Sequence, residues 1–153
     1  MNTMVSAVKA LKDLKIDYLT VHISSGLAAL KAVKKVSGRT KIIGVTTLTS
    51  LNDNDLKLIG YNKSVKNLVN HQAKLAKRAG LDALVCSPFE VAEVRKIFTN
   101  ELITPGVQIG KKNYDQKRSM DVKKVKSDWL VIGRSITRGN IKKNIQKLTK
   151  ILG

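Results

Sequence analysis

The stretch SVKNLVNHQAKLAKRAGLDALVC, residues 64–86, decides the fold because a helix, a helix stop and a buried strand follow one another in it. Apolar residues recur at three- and four-residue spacing up to Ala79, and Gly80 then ends the helix. Residues 81–86 are a short apolar run, which is typical of a strand covered on both faces. A helix that leads directly into such a strand predicts an α/β fold with parallel strands.

The same alternation extends along the chain in both directions. We predict apolar strands at residues 16–23, 41–47, 81–86, 102–104 and 129–132. We predict helices from about Thr3, as N-cap, to residue 14, and at residues 27–33, 53–58, 64–79, 87–98, 122–125 and 141–152, with Pro88 in the first turn of the helix at 87–98. Asp17, Asp82 and Asp128 each lie just before a predicted strand, which is a weak sign of an internal repeat of strand-helix units. In folds with parallel strands covered by helices, catalytic and binding residues lie at the carboxyl ends of the strands, so we expect the functional site there.

The composition is that of one globular domain, residues 1–153, with an excess of positive charge. Lys and Arg total 29 against 11 Asp and Glu, which gives a formal net charge of +18. This charge makes anionic partners, including nucleic acid, worth considering. The lysines are scattered rather than clustered, so compositional drift explains the charge as well as a binding surface does.

Cysteine content and hydropathy favour a cytoplasmic protein. Cys86 is the single cysteine, so it forms no intramolecular disulfide and no cysteine-based zinc site. Lys9 and Lys12 interrupt the apolar residues of the N-terminal segment, which therefore reads as neither a signal peptide nor a membrane span.

The segment VIGRSIT, residues 131–137, contains the clearest candidate binding loop. Gly133 exposes backbone N–H groups to an approaching anion, Arg134 supplies a forked donor, and hydroxyl groups follow. These residue types suit a phosphate group. A plain turn with an exposed arginine is the alternative, and spacing alone leaves both readings open.

Other polar residues near strand ends carry weaker signals. The hydroxyl groups of residues 46–50 either contact a small polar ligand or cap the next helix. His22 has no carboxylate nearby in sequence, which favours a packed or hydrogen-bonded side chain over a base. We expect His71 at the surface, Cys86 buried and inert, and both Tyr18 and Trp129 in packing roles.

Five segments together resemble the orotidine 5′-phosphate decarboxylase family. They follow the family's order: VHISSG at residues 21–26, GVTTLTS at 44–50, GLDALVCSP at 80–88, ITPG at 103–106 with DQKR at 115–118, and VIGRSIT at 131–137. The resemblance covers essentially the whole chain. It implies a (β/α)8 TIM barrel, of which these residues supply strands four to eight with their helices. It also implies an enzyme of pyrimidine biosynthesis that converts orotidine 5′-phosphate (OMP) to UMP and carbon dioxide and works as a dimer.

The resemblance assigns substrate contacts but no catalytic residue to this chain. Family members carry an Asp-x-Lys-x-x-Asp segment after the third strand, whose lysine protonates the reacting carbon, and the 153 residues hold no counterpart. We expect a truncated chain that binds OMP or UMP and uses neither metal nor cofactor. Its expected partner is a second copy or the missing N-terminal half. The substrate-binding residues implied are Thr3, Thr49, Gln116, Gly133 and Arg134.

One residue departs from the family pattern. The family reads Thr-Pro-Gly-Ile-Arg, whereas residues 104–108 read TPGVQ, with Gln108 in place of the arginine. Loss of a fixed charge beside a phosphate weakens binding, unless a lysine such as Lys111 or Lys112 compensates. A catalytically inactive phosphate-binding fragment and a basic nucleic-acid-binding module are the alternative functions, although few aromatic residues are available to stack on bases.

Overall fold

The computed structural model describes residues 2–108 and 120–153 as an α/β protein. Its strands are β1 (Tyr18–His22), β2 (Lys41–Val45), β3 (Ala83–Val85), β4 (Glu101–Thr104), β5 (Val107–Gln108), β6 (Met120–Asp121) and β7 (Trp129–Leu130). Its α-helices are α1 (Asn2–Ala10), α2 (Leu27–Val36), α3 (Asp53–Leu58), α4 (Val65–Ala79), α5 (Val91–Ile97), α6 (Arg134–Thr137) and α7 (Ile141–Leu152). Short 3-10 turns span Lys12–Leu14, Ile23–Ser25 and Val122–Lys124.

Five of the strands form one parallel sheet in the order β1-β2-β3-β4-β7, which confirms the predicted α/β fold with parallel strands. Each strand pairs with the strand before it in this order, with Thr20 opposite Ile43 and Thr104 opposite Leu130. Because consecutive units lie side by side, the carboxyl ends of the strands meet along one edge. A separate two-stranded pair, β5 with β6, was not predicted.

Helices α1, α2, α4 and α5 cover one face of the sheet, each beside the next. The core between sheet and helices includes Leu30, Ile42, Val69, Leu84 and Leu102, all fully buried. On the opposite face Tyr18, Trp129 and Val131 stay exposed. The sheet therefore has one covered face and one open face.

Gly44 in β2 shows how closely this core is packed. A Cβ atom at residue 44 would come within 2.8 Å of Leu81 Cδ1 and within 2.9 Å of Ile23 Cδ1. Both distances are shorter than real Cβ contacts, so only glycine fits without moving its neighbours.

Most predicted elements are confirmed, and α4 has the predicted stops. The Ser64 side chain accepts a hydrogen bond from Asn67 N at the start of α4, and Gly80 ends it in the left-handed conformation with φ of 71°. The prediction of Thr3 as an N-cap is wrong, because α1 already includes Thr3 and an N-cap residue has non-helical backbone angles.

Other predicted boundaries also differ, among them the end of the first helix, which lies at Ala10 rather than at residue 14. Helix α5 begins at Val91 rather than around Pro88, because residues 88–90 form a turn that the hydrogen bond from Glu90 N to the Ser87 carbonyl closes. Strand β7 ends at Leu130, two residues earlier than predicted, because the chain then turns into α6. Within residues 2–108 and 120–153, no helix combines the length and apolar character needed to cross a bilayer.

Candidate functional site

The carboxyl ends of β4 and β7 enclose a cavity of about 140 Å³. Its polar lining comes from two turns that are distant in sequence, namely Gly106 and Gln108 after β4, and Gly133, Arg134 and Ser135 after β7. The predicted binding loop and the residue that departs from the family pattern therefore line the same cavity.

The turn after β4 positions Gln108. Gly106 has φ of 76°, a backbone conformation that residues with a Cβ rarely adopt, and this reverses the chain directly after the strand. Pairing of β5 with β6, with Gln108 opposite Asp121, then holds the segment in place. Gln108 is only 4% exposed, so its amide side chain is enclosed beside the cavity.

The turn after β7 positions Arg134. The Gly133 carbonyl accepts hydrogen bonds from Ile136 N at 2.8 Å and Thr137 N at 3.1 Å, so Gly133 starts the single-turn helix α6. Arg134 is the first residue of this helix and is half-buried. A guanidinium group next to backbone N–H groups at a helix start attracts an anion, and its planar fork matches phosphate oxygens.

The other predicted site residues lie elsewhere or outside the described residues. Thr3 is exposed on α1, and Thr49 is half-buried in the loop after β2; neither borders the 140 Å³ cavity. Gln116 and the two candidate compensating lysines, Lys111 and Lys112, fall in residues 109–119, which the structure does not describe. The roles of these residues stay predictions.

The hydroxyl groups after β2 stabilise the fold. Thr46 Oγ1 donates to the Val85 carbonyl at 2.7 Å. Both the N–H and the hydroxyl of Thr47 donate to Gln72 Oε1, at 2.9 and 3.1 Å, and this contact is buried. The N-cap of α3 is Asn52, so the prediction that these threonines cap the next helix is wrong.

Three single-residue predictions have mixed outcomes. His71 is exposed on α4 and Cys86 is buried, as predicted. The prediction of a packed or hydrogen-bonded His22 side chain is wrong, because the residue is exposed at the carboxyl end of the edge strand β1 and only its backbone carbonyl accepts a hydrogen bond from a side chain of the described residues.

A hydrogen-bonded cluster on the open face of the sheet was missed by sequence reasoning. Glu101 Oε1 accepts from Lys41 Nζ at 2.7 Å, and Glu101 Oε2 accepts from the Tyr18 hydroxyl at 3.1 Å and from Trp129 Nε1 at 2.8 Å. Both aromatic residues are thus exposed hydrogen-bond donors rather than the packing residues predicted. Only strand register brings these four residues together, so no local pattern could have revealed the cluster.

The cluster shifts the pKa of both its charged groups. The hydrogen bond from Lys41, followed by that from Trp129, lowers the pKa of Glu101. The pKa of Lys41 is raised above its ordinary value, mainly by the hydrogen bond that Lys41 donates to Glu101 and next by the one it donates to Tyr18. The cluster lies at the amino ends of the strands, away from the candidate cavity. Within the described part of the chain, no group of three His, Cys, Asp or Glu side chains could hold a metal ion.

Comparison with known proteins gives a consistent match. Residues 2–147 match the profile of the "Orotidine 5'-phosphate decarboxylase / HUMPS family". The chain is 40% identical over 154 residues to an orotidine 5′-phosphate decarboxylase of a Wolbachia species of Brugia malayi, covering 96% of this chain and 68% of the relative. It is 41% identical over 144 residues to the enzyme of Ehrlichia chaffeensis, covering 89% of this chain and 62% of the relative.

A solved structure agrees with these sequence matches. The crystal structure of orotidine 5′-phosphate decarboxylase from Lactobacillus acidophilus aligns with a TM-score of 0.81 at 29% identity, covering 99% of this chain and 70% of that one. The chain thus spans about two thirds of the length of the curated relatives that it matches, from 62% to 68%.

Proposed function

Since the chain belongs to the orotidine 5′-phosphate decarboxylase / HUMPS family, we propose that it binds the phosphate of a pyrimidine nucleotide, OMP or UMP, through Gly133 and Arg134. The observation that carries this proposal is the cavity at the carboxyl ends of β4 and β7, which both residues line. Its volume of about 140 Å³ suits a small group such as a phosphate rather than a whole nucleotide. The base and ribose would then lie outside it, along the carboxyl edge of the sheet.

We propose the remaining substrate contacts from the resemblance. Gln116 contacts the phosphate from the other loop, Thr49 contacts the pyrimidine, and Thr3 is the last residue of the segment that carries the chemistry in the family. Gln108 lines the same cavity without a positive charge, so among the described lining residues it is Arg134 that carries one.

The five strands of the main sheet are proposed to be strands four to eight of a (β/α)8 barrel. Their sequential order, parallel direction and single covered face support this, because consecutive units of such a barrel lie side by side with helices outside. The carboxyl ends of the strands form the active-site face in that architecture, which is where the cavity lies.

The reaction proposed for the complete site is the decarboxylation of OMP to UMP and carbon dioxide in pyrimidine biosynthesis. The 153 residues contain no Asp-x-Lys-x-x-Asp segment, so this chain contributes the binding of substrate rather than the proton that replaces the carboxyl group. The catalytic acid and carboxylates would come from another polypeptide segment. We propose no metal or cofactor, a cytoplasmic location and a single domain.

Two alternative functions differ from this proposal in their ligand or in their activity. A catalytically inactive phosphate binder would use the same cavity without turnover in any complex. A nucleic-acid-binding module is favoured by the net charge of +18. Binding that depends on many lysine contacts with phosphates falls steeply with salt, whereas a pocket for one nucleotide saturates at one ligand.

Titrations with UMP and with a single-stranded oligonucleotide, each at low and moderate salt, test the proposal. We expect UMP to saturate at one molecule per chain in both salts, and oligonucleotide binding to weaken sharply as salt rises. Absence of saturable UMP binding, with oligonucleotide binding that persists, would contradict the proposal and favour the nucleic-acid module.

A further inference from the structure

A second cavity, of about 160 Å³, lies at the carboxyl ends of β1 and β2. Its lining comes from the turn after β1, the loop after β2, and the helices α3 and α4. It shares no lining residue with the cavity between the turns after β4 and β7, and β3 lies between the two in the sheet. The proposed phosphate site therefore does not account for this second cavity.

The side chain of Gln72, from α4, lines the second cavity and is only 6% exposed. Its oxygen Oε1 accepts hydrogen bonds from Thr47 N at 2.9 Å and from Thr47 Oγ1 at 3.1 Å. Because a backbone N–H can only donate, the amide atom that faces it must be the oxygen. These contacts fix the orientation of the amide, with the nitrogen Nε2 on the side away from Thr47.

The amide nitrogen of Gln72 has unused hydrogen-bonding capacity. Among residues 2–108 and 120–153, Gln72 Nε2 donates no hydrogen bond, although an amide group carries two N–H donors. The nitrogen is also not sealed in the core, since it is not one of the fully buried polar atoms without a partner. An almost buried side chain thus presents free donors to the cavity that it lines.

The rest of the lining is apolar on the inside and polar towards solvent. Leu56 and Leu68 are buried and contribute apolar surface. His22 and Ser24 are exposed, so they lie on the solvent side of the cavity. None of the described lining residues is Asp, Glu, Lys or Arg. The cavity therefore suits a ligand with a hydrogen-bond acceptor for Gln72 and a short apolar body.

The volume and the charge of the protein narrow the ligand further. A cavity of about 150 Å³ in another protein holds one benzene molecule, so about 160 Å³ accommodates roughly six non-hydrogen atoms. A carboxylate accepts stronger hydrogen bonds than a neutral carbonyl group does. The net charge of +18 attracts anions to the surface, and no acidic residue of the described lining repels them.

We propose that this second cavity binds a short aliphatic carboxylate, with a carboxylate oxygen accepting a hydrogen bond from Gln72 Nε2. The aliphatic part of the ligand contacts Leu56 and Leu68. A cationic ligand of the same size is disfavoured, because Gln72 Oε1 already accepts two hydrogen bonds and Nε2 can only donate. The proposal does not depend on nucleotide binding, since the two cavities have no residue in common.

Titration of butyrate into the ¹⁵N-labelled full chain, followed by nuclear magnetic resonance at constant ionic strength, tests this site. We expect the side-chain NH₂ signals of Gln72 to shift and to saturate. Butylammonium, a cation of similar size, should leave these signals in place. Saturation with UMP should leave butyrate binding unchanged. Absence of a saturable shift with butyrate would overturn the proposal, as would an equal response to butylammonium.

The Gln72→Glu variant tests the donor itself. It keeps an oxygen facing Thr47 and replaces the NH₂ group by a second oxygen, so butyrate should bind at least roughly tenfold more weakly. Gln146→Glu makes the same change on the exposed surface of α7 and should bind butyrate as the unmodified chain does. Circular dichroism checks that both variants fold.

A second pair of variants tests the cavity without changing a buried residue. Ile59 is exposed and lines the cavity, so Ile59→Trp should narrow it and weaken butyrate binding. Leu58→Trp, at the exposed neighbouring residue outside the lining, should leave binding unchanged. Undiminished binding by both Gln72→Glu and Ile59→Trp would overturn the proposal. So would loss of butyrate binding on saturation with UMP, because the cavity would then belong to the nucleotide site.

Discussion

At the scale of single residues, the proposed phosphate site combines a charged residue, Arg134, with a neutral one, Gln108. Both line a cavity of about 140 Å³, and only one of them is charged. A neutral amide donates a weaker hydrogen bond to phosphate than a guanidinium group, by about a factor of two in energy. We therefore expect the neutral residue 108 to lower the affinity of the proposed site for phosphate.

The Gln108→Arg substitution should tighten UMP binding. A charged hydrogen bond in place of a neutral one adds about 1 kcal/mol, or roughly fivefold in affinity. Calorimetric titration of UMP into the full chain measures this change. Gln146→Arg is the matched control, since it adds the same charge on the exposed surface of α7. Equal gains from both variants would show that net charge, rather than residue 108, controls binding.

At the scale of elements, apolar runs and helix stops made the strands and helices predictable. The stops of α4 at Ser64 and Gly80 follow from local backbone chemistry, so the sequence locates them directly. The pairing of β5 with β6 depends on contacts between segments separated in sequence, and each strand is two residues long. Such short elements have no periodicity of their own, so sequence patterns could not predict them.

The candidate site was predictable to a similar degree. Gly133 and Arg134 belong to one short loop whose residue types suit phosphate, so the sequence alone indicated them. That Gln108 lines the same cavity depends on the turn at Gly106 and on the position of β4 beside β7. The contacts of Tyr18 and Glu101 likewise depend on strand register across the sheet.

The cluster around Glu101 should make stability depend on acid. The pKa of Glu101 lies below its ordinary value of 4.5 in the folded chain, because of Lys41 first and Trp129 second. Its contribution to the free energy of unfolding is therefore fully present above about pH 4.5 and is lost as pH falls through the lowered pKa. Urea unfolding between about pH 3 and pH 6 should show a steeper loss for the unmodified chain than for Glu101→Gln. Identical pH profiles would contradict the cluster, and Asp13→Asn serves as the charge-matched control.

At the scale of the whole molecule, the position of the cavity at the carboxyl edge of the sheet connects the fold with the proposed function. The described residues place a phosphate-sized cavity at the carboxyl edge, while the 153 residues contain no Asp-x-Lys-x-x-Asp segment. Binding energy at the phosphate accelerates a reaction only where groups at the reacting carbon can use it.

The 153-residue chain by itself should not decarboxylate OMP. Enzymes lower reaction barriers by about 8–23 kcal/mol, and a phosphate site alone offers no acid or charge at the reacting carbon. A spectrophotometric assay with purified chain should show no turnover above background. Co-expression of the chain with the part of the Wolbachia relative that precedes the match should produce turnover. Activity of the chain alone would contradict the proposal that this chain binds substrate and another segment supplies the catalytic groups. A complex that binds nucleotide without turnover would favour the alternative of a catalytically inactive phosphate binder.

The central claim, that this chain binds the phosphate of a pyrimidine nucleotide between its β4 and β7 turns, is tested most directly by titrating UMP into the unmodified chain and Arg134→Ala. We expect one UMP per unmodified chain and a loss of about 1.5–3 kcal/mol in Arg134→Ala, since a charged hydrogen bond to phosphate is removed. Arg138→Ala, at an exposed arginine one helical turn further on, should bind as the unmodified chain does. Equal UMP binding by the unmodified chain and Arg134→Ala would contradict the claim.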